Sequence, residues 1–304
     1  MIDDHGLLDV GDGNHVYWET CGAPDGKPAL FVHGGPGSGC SPRSRNVFIP
    51  HGFRGILFDQ RGCGRSIPHA AGPDVDMSVN TTWHLVEDME KLREHLGVEK
   101  WLLYGGSWGC TLILAYAQKY PHRVSEIVMA SITSGRRAES DWLYRGAARF
   151  FPEEWARFRS LVSSDDVISE YSRLMEHPET RAGAAAEWSR WEDVVVSREP
   201  GARPNMYSDK DEDALIAFAR ITSWYCAHGA WLEEGQLIGN ADRLAGIPGV
   251  LVHGLLDLSC PFNTAWELAK AWPDAELVAL PNTGHQATDE RRDTMRRAME
   301  KFSA

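Results

Sequence analysis

The apolar run Trp101-Leu102-Leu103-Tyr104 ends on Gly105-Gly106-Ser107-Trp108-Gly109, and the residues beyond it, Leu112–Tyr120, carry helical spacing. A chain that leaves a strand and enters a helix within so few residues must turn sharply, and the turn's neighbours must lack side chains. The pattern G-x-S-x-G in a strand-to-helix context predicts that Ser107 stands at the tip of the turn. There it takes a strained backbone angle, with its hydroxyl projecting from the carboxyl edge of a sheet as a nucleophile. The Trp108 amide, opening the helix, is then placed to donate to a developing oxyanion, aided by the helix dipole. The competing reading is a glycine-rich turn with an incidental serine.

Such a turn needs a sheet around it. Short apolar or β-branched runs at His15–Thr20, Ala29–Val32, Gly55–Phe58, Trp101–Tyr104, Glu126–Ala130, Val250–His253 and Glu276–Leu280 predict strands. Between them, Thr81–Leu96 spaces Leu85, Met89, Leu92 and Leu96 on one helical face before Gly97 stops it. Phe262–Ala271 and Asp289–Phe302 are also helix-like. This alternation predicts an α/β fold, a mostly parallel sheet covered by helices on both sides. It breaks from about Gly135 to Arg243, where the pattern is helical and holds six of the twelve tryptophans: Trp142, Trp155, Trp188, Trp191, Trp224 and Trp231. We therefore expect a core of residues 1–134 and 244–304 and a helical cap of residues 135–243. Tryptophans at this spacing suit helix packing at least as well as a substrate pocket.

Composition excludes several classes of function. The formal charge of −12, with no basic stripe, argues against nucleic acid or an anionic membrane as partner. No stretch reaches the ~18–20 apolar residues of a membrane span. The acidic start, MIDDHGLLDVGDGNH, predicts no signal peptide and a cytoplasmic chain. Six scattered cysteines without a C-x-x-C pair read as reduced thiols. The histidines show no H-E-x-x-H spacing, so neither metal nor cofactor is expected. Oligomeric state is not legible.

A serine nucleophile needs a base, and the base an orienting acid, in the chain order Ser, Asp or Glu, His for a turn of this kind. Of the twelve histidines, His285 is best placed, in Pro281-Asn282-Thr283-Gly284-His285 between the last strand and the last helix. Asp257 follows the preceding strand. The long interval from Ser107 to Asp257 is what a cap insertion leaves. His253, inside a strand end, is the rival base and reads as structural; Asp274 and Asp289 read as solvated helix-end charges. The second oxyanion donor is expected from His33-Gly34-Gly35-Pro36-Gly37, with the Gly35 amide as candidate. His33 reads as a loop fastener, and Asp59 and Arg61 as a structural pair.

The stretches HGGPGSGCSPR, FDQRGCGRS, GGSWGCTLILAYAQKYP, WELAKAWPDAEL and the late Gly284-His285 resemble the proline iminopeptidase (prolyl aminopeptidase) family of α/β-hydrolases. The resemblance runs from VGDGNHVYWETCG to the last helix. It implies an α/β-hydrolase fold with a helical cap and a serine hydrolase that removes an amino-terminal residue from small peptides. It also implies Ser107, Asp257 and His285 as the triad.

The departures bear on specificity. In the family a pair of cap glutamates holds the substrate's amino group. Trp188-Ser189-Arg190-Trp191-Glu192 keeps one of them, Glu192, whereas a segment resembling A-R-I-E-x-H-Y-F reads Ala219-Arg220-Ile221-Thr222-Ser223-Trp224-Tyr225-Cys226. Thr222 thus replaces a carboxylate and Cys226 an aromatic. A segment resembling R-G-I-F reads Ala130-Ser131-Ile132-Thr133, so Thr133 replaces another aromatic, while Tyr144 is kept. The segment resembling H-G-R-Y-D reads His253-Gly254-Leu255-Leu256-Asp257. Glu187, Asp193 and Glu233 are the candidates to compensate for the lost carboxylate. The expectation is a serine hydrolase acting on an amide or ester of a small molecule or short peptide, with changed specificity. The alternatives are a true proline iminopeptidase or broadened aminopeptidase, an acyltransferase, and a ligand-binding protein without chemistry.

Overall fold

The computed structural model describes residues 2–199 and 201–303. Eight strands form one sheet: β1 (Asp4–Gly11), β2 (Asn14–Gly22), β3 (Pro28–Val32), β4 (Arg54–Phe58), β5 (Trp101–Ser107), β6 (Val124–Ile132), β7 (Gly249–Gly254) and β8 (Ala275–Leu280). Their order is β1-β2-β4-β3-β5-β6-β7-β8, antiparallel from β1 to β4 and parallel from β4 onwards. All seven predicted runs are strands. The eighth, β1, was not predicted, because as an edge strand it presents an almost wholly solvated DHGLLDVG in which only Val10 is buried. Without a buried face the period-2 signal vanishes.

Helices α1 (Thr82–His95), α2 (Trp108–Lys119) and α9 (Phe262–Ala271) pack on one face of the sheet, and α10 (Asp289–Lys301) on the other. Thr81 caps α1 by accepting from the His84 amide. Leu85, Met89 and Leu92 point from α1 into a core shared with Leu103 and Ile113. Helix α2 is buried from Trp108 through Gln118. This all-round burial explains why amphipathic spacing located its beginning four residues late, at Leu112.

Between β6 and β7 the chain runs through α3 (Arg137–Tyr144), α4 (Pro152–Arg159), α5 (Val167–Glu176), α6 (Arg181–Val196), α7 (Glu212–Ala227) and α8 (Gln236–Gly239). Tyr144, Phe158, Tyr171, Trp188 and Trp191 form a second apolar cluster there. Polar ties bind this segment to the sheet layer. Indole N–H groups of Trp142 and Trp224 donate to the carbonyls of Leu258 and Asn80. The buried Arg220 guanidinium donates to the carbonyls of Ala70, Gly72 and Val75 and pairs with Glu176.

The sheet positions a site through its topology. Strand β3 is followed by β4 on one side, and β5 lies on its other side, so the strand order reverses there. Loops leaving the carboxyl ends of β3 and β5 diverge at that point and leave a crevice between them.

Candidate active site

Ser107 ends β5 and immediately precedes α2, with φ 56° and ψ −130°. The glycines around it are required by close approach. A Cβ on Gly105 would lie 2.7 Å from the Val32 carbonyl oxygen, and one on Gly109 2.3 Å from the same atom. Helix α2 therefore rests directly on the end of β3, and this packing holds the serine in its strained conformation.

Asp257 stands beyond β7 and His285 beyond β8, both buried, with His285 Nδ1 at 3.0 and 3.1 Å from the two carboxylate oxygens. Asp257 also accepts the Cys260 amide at 2.8 Å. Burial alone raises a carboxyl, but the charge and hydrogen bond of His285 hold Asp257 below its ordinary value. Burial likewise works against a charged imidazole, yet Asp257 more than offsets it and His285 is raised. The Nδ1–H tautomer leaves Nε2 as an acceptor, the form a general base requires. Among the described residues no hydrogen bond joins Ser107 Oγ to His285, a contact that commonly tightens in the substrate complex.

The rival base is accounted for. His253 is buried, accepts the Ile132 amide at Nδ1 (3.0 Å) and donates from Nε2 to the Cys260 carbonyl (2.7 Å), so neither nitrogen is free. Asp274 accepts the Gly246 amide, and Asp289 pairs with Arg292 at the surface. Asp257, Cys260 and His285 bring three ligand-type atoms within 4.8 Å of one another. However, Asp257 is engaged by His285, and burial beside that carboxylate pushes the Cys260 thiol well up, which keeps it protonated. The set suits a hydrogen-bonded relay better than a cation.

The loop after β3 is fastened to the serine turn by Gln60. Its amide N–H donates to His33 Nε2 (3.0 Å), its side-chain NH2 donates to the His33 carbonyl (2.9 Å), and its side-chain oxygen accepts from the Trp108 indole (3.0 Å). His33 is thus the fastener expected. The expected Asp59–Arg61 pair does not form. Asp59 accepts from Arg65 (2.7 Å) and the Cys40 amide, whereas Arg61 pairs with Asp88 (2.7 Å) and Asp12 (3.2 Å). The side chains of neighbouring residues 59 and 61 follow separate loop walls, which a linear motif cannot reveal.

Ser107, Gly35 and Trp108 line one cavity, in which the space open to water centres is about 90 Å³. As the first residue of α2, Trp108 has an N–H without an intrahelical acceptor. Thr133, just beyond β6, and Tyr144, Glu192, Thr222 and Cys226 of the helical segment line the cavity as well, so every residue expected in the substrate pocket reaches it. Ser259 and Cys260 of the Asp257 loop close it. Glu192 is buried on α6 and accepts a hydrogen bond from the Tyr144 hydroxyl. Burial pushes its carboxyl up to about 7, with Tyr144 and the charge of His285 acting against that shift.

The chain matches the alpha/beta hydrolase fold family over residues 27–291. It is 44% identical over 310 residues to a probable proline iminopeptidase of Streptomyces coelicolor, covering 99% of this chain and 95% of that one. A proline iminopeptidase of Xylella fastidiosa is 45% identical over 298 residues, covering 93% and 91%. The chain belongs to the proline iminopeptidase family. It is a serine hydrolase of α/β-hydrolase fold. The crystal structure of a Mycobacterium smegmatis proline iminopeptidase, 19% identical, superposes with a TM-score of 0.67 over 98% of this chain and 97% of that one, a likeness of fold.

Against the family pattern, the departures now have positions. The Thr222 hydroxyl lies 3.0 Å from the Pro36 carbonyl and 2.8 Å from that of Phe218, so it ties α7 to the β3 loop where a second glutamate would face the cavity. Cys226 lies by Glu192, Ser140 and Tyr144, and burial pushes its thiol up to about 12. None of the three candidate compensators lines the cavity. Glu187 pairs outward with Arg157 and Arg190, Asp193 binds the Tyr207 and Ser208 amides, and Glu233 is exposed. The second carboxylate in the wall is instead Glu139, which the sequence reading missed. It accepts from Thr133, Ser134 and Thr264 side chains and from the Ser134 and Arg136 amides, so its lone pairs are taken. Its third-residue position in α3 was the available signal.

Tyr207 and Tyr225 also line the cavity and were missed. Tyr225 shares a face of α7 with Thr222 and packs edge-on against Trp108, ring centroids 4.8 Å apart. None of the six tryptophans of the helical segment lines the cavity; they serve packing and cross-ties.

Proposed function

We propose that the protein hydrolyses the first amide bond of short peptides and related amino-acyl amides, with Glu192 as the anchor for the substrate's free amine. One observation carries this reading: a buried, acceptor-bearing carboxylate lines the same small cavity as Ser107 and the two residues whose amides are the candidate oxyanion donors. The space open to water centres beside Ser107, about 90 Å³, favours a short substrate over an extended chain. Residues 135–243 act as the cap that closes it.

In the proposed mechanism Ser107 Oγ attacks the carbonyl carbon of the first residue while His285 Nε2 takes its proton, with Asp257 orienting the imidazole. The carbonyl π electrons move onto oxygen, which the amides of Gly35 and Trp108 hold. Collapse breaks the C–N bond, and the leaving amine takes the proton from His285. A water molecule deprotonated by His285 then attacks the acyl-enzyme, releasing the free amino acid and restoring Ser107. Thr222, Cys226 and Thr133, smaller or more polar than their family counterparts, favour a preference extending beyond proline.

The test compares kcat/KM for L-prolyl, L-alanyl and N-acetyl-L-prolyl p-nitroanilides. The free amines are expected to exceed the blocked compound by roughly tenfold or more, the worth of one charge-assisted hydrogen bond. The alanyl substrate is expected to approach the prolyl one. Equal rates on free and blocked substrates overturn the role of Glu192. Replacement Ser107→Ala is expected to lower kcat by roughly 10⁴-fold or more, and undiminished turnover overturns the mechanism.

A further inference from the structure

On the α10 face of the sheet, a second cavity opens between that helix, residues 43–51 and the carboxyl ends of β3, β5 and β6; water centres have about 510 Å³ there. It lies behind the strand that carries Ser107, with Gly105 and Gly106 in its wall, and shares no residue with the catalytic cavity. Its charge is the reverse of the molecule's. The chain carries a formal −12, yet this cavity is lined by Arg43, Arg291, Arg292, Arg296 and His51 and by no aspartate or glutamate.

Two of these cations have local partners: Arg292 pairs with Asp289, and Arg296 with Asp293 and Glu300. Arg43 and Arg291 form no ion pair among the described residues. Arg291 donates only to neutral oxygens, the Ser131 hydroxyl and the His285 carbonyl, both at 2.6 Å. Loss of solvent contact pushes its guanidinium below the ordinary arginine value, with the charge of Asp257 acting against that shift. Arg291 is half-buried and has no carboxylate within salt-bridge reach among the described residues, so its charge is left for an anion entering the cavity to neutralise. The remaining wall is apolar: Phe31 stacks on Tyr104, ring centroids 5.6 Å apart, and Met295 and Met299 supply adaptable thioethers from α10. An apolar cavity with a few convergent polar groups is the ordinary form of a small-molecule site.

We propose that this cavity binds an organic monocarboxylate with an apolar body, its carboxylate against Arg291 and Arg43 and its body along Met295 and Met299. The ligand reaches no reacting atom. The site adjoins the catalytic machinery through Gly105 and Gly106 of the serine turn and through Arg291, which holds the His285 carbonyl.

The test is calorimetric titration of the full chain with octanoate, 1-octanol, octylamine and acetate, each chosen to remove one element of recognition. Octanoate is expected to bind, and the neutral, cationic and tail-less compounds to bind at least about tenfold more weakly. Variants Arg43→Ala, at the rim, and Met295→Glu, in the wall, are each expected to weaken octanoate by roughly tenfold or more. Two variants are used so that one which does not fold leaves the other to decide. Absence of octanoate binding, binding of octanol equal to that of octanoate, or unchanged affinity in every folded variant overturns the proposal.

Discussion

A carboxyl held at about 7, as that of Glu192 is, is half-ionised in neutral solution, so its grip on an ammonium group depends on the pH. As pH falls through that value the carboxylate is protonated and the charge attraction is lost. KM for free-amine substrates is therefore expected to rise on the acid side, while an N-acetylated substrate, which offers no ammonium, shows no such rise. His285 adds a separate limb: its value is raised above the ordinary 6.5, so the neutral base, and kcat with it, is lost as pH falls through that raised value for both substrates. The ratio of kcat/KM for free to blocked substrate isolates Glu192. In Glu192→Gln that ratio is expected to fall roughly ten- to hundredfold and to become independent of pH; a ratio that keeps its wild-type profile assigns the amine to another group. The Asp257–His285 pair and the serine turn, which make up the proposed triad, were legible in the sequence because each member follows a strand in a fixed order. Glu139 was not, because whether a carboxylate faces a cavity already saturated with donors is decided by Thr264 and Ser134, residues far from and near to it in the chain.

Among the elements, α2 and β3 meet more closely than ordinary side chains permit. A methyl group at Gly109 would stand 2.3 Å from the Val32 carbonyl oxygen, and backbone has no rotamer with which to yield. Gly109→Ala is expected to lower stability by about 1–3 kcal/mol or more, as overpacking does, and to reduce kcat further by displacing Ser107. Thermal unfolding together with kcat on the folded fraction checks both effects; a variant as stable and active as the wild type removes close approach as the reason for the motif. The strands and sheet-covering helices were readable wherever a face is buried against a face that is not. The signal failed at the extremes, β1 being too solvated and the start of α2 too buried for any period to appear.

In the molecule as a whole, the helical segment carries its own apolar cluster, and it is joined to the sheet layer both by apolar side chains such as Ile221 and Tyr225 and by polar ties, among them the three carbonyls that Arg220 holds. Arg220→Met leaves the carbonyls of Ala70, Gly72 and Val75 without that donor, at about 1–3 kcal/mol for each group left buried and unpaired. The expected result is a lowered Tm and a raised KM for prolyl p-nitroanilide, with Ser107 still labelled by a fluorophosphonate, since the serine turn belongs to the sheet. Loss of labelling in parallel with KM contradicts that division of labour. Such ties were invisible in the sequence because an arginine or an indole on a helix looks the same whether it faces water or a loop more than a hundred residues away. The proposed amine anchor has a further consequence. Proteases with open clefts need a propeptide or an inhibitor to spare their neighbours, whereas a substrate that must set a free amino terminus on Glu192 cannot be an internal stretch of another chain. On the proposed reading, the enzyme is safe among folded proteins from the moment it folds, and needs no zymogen.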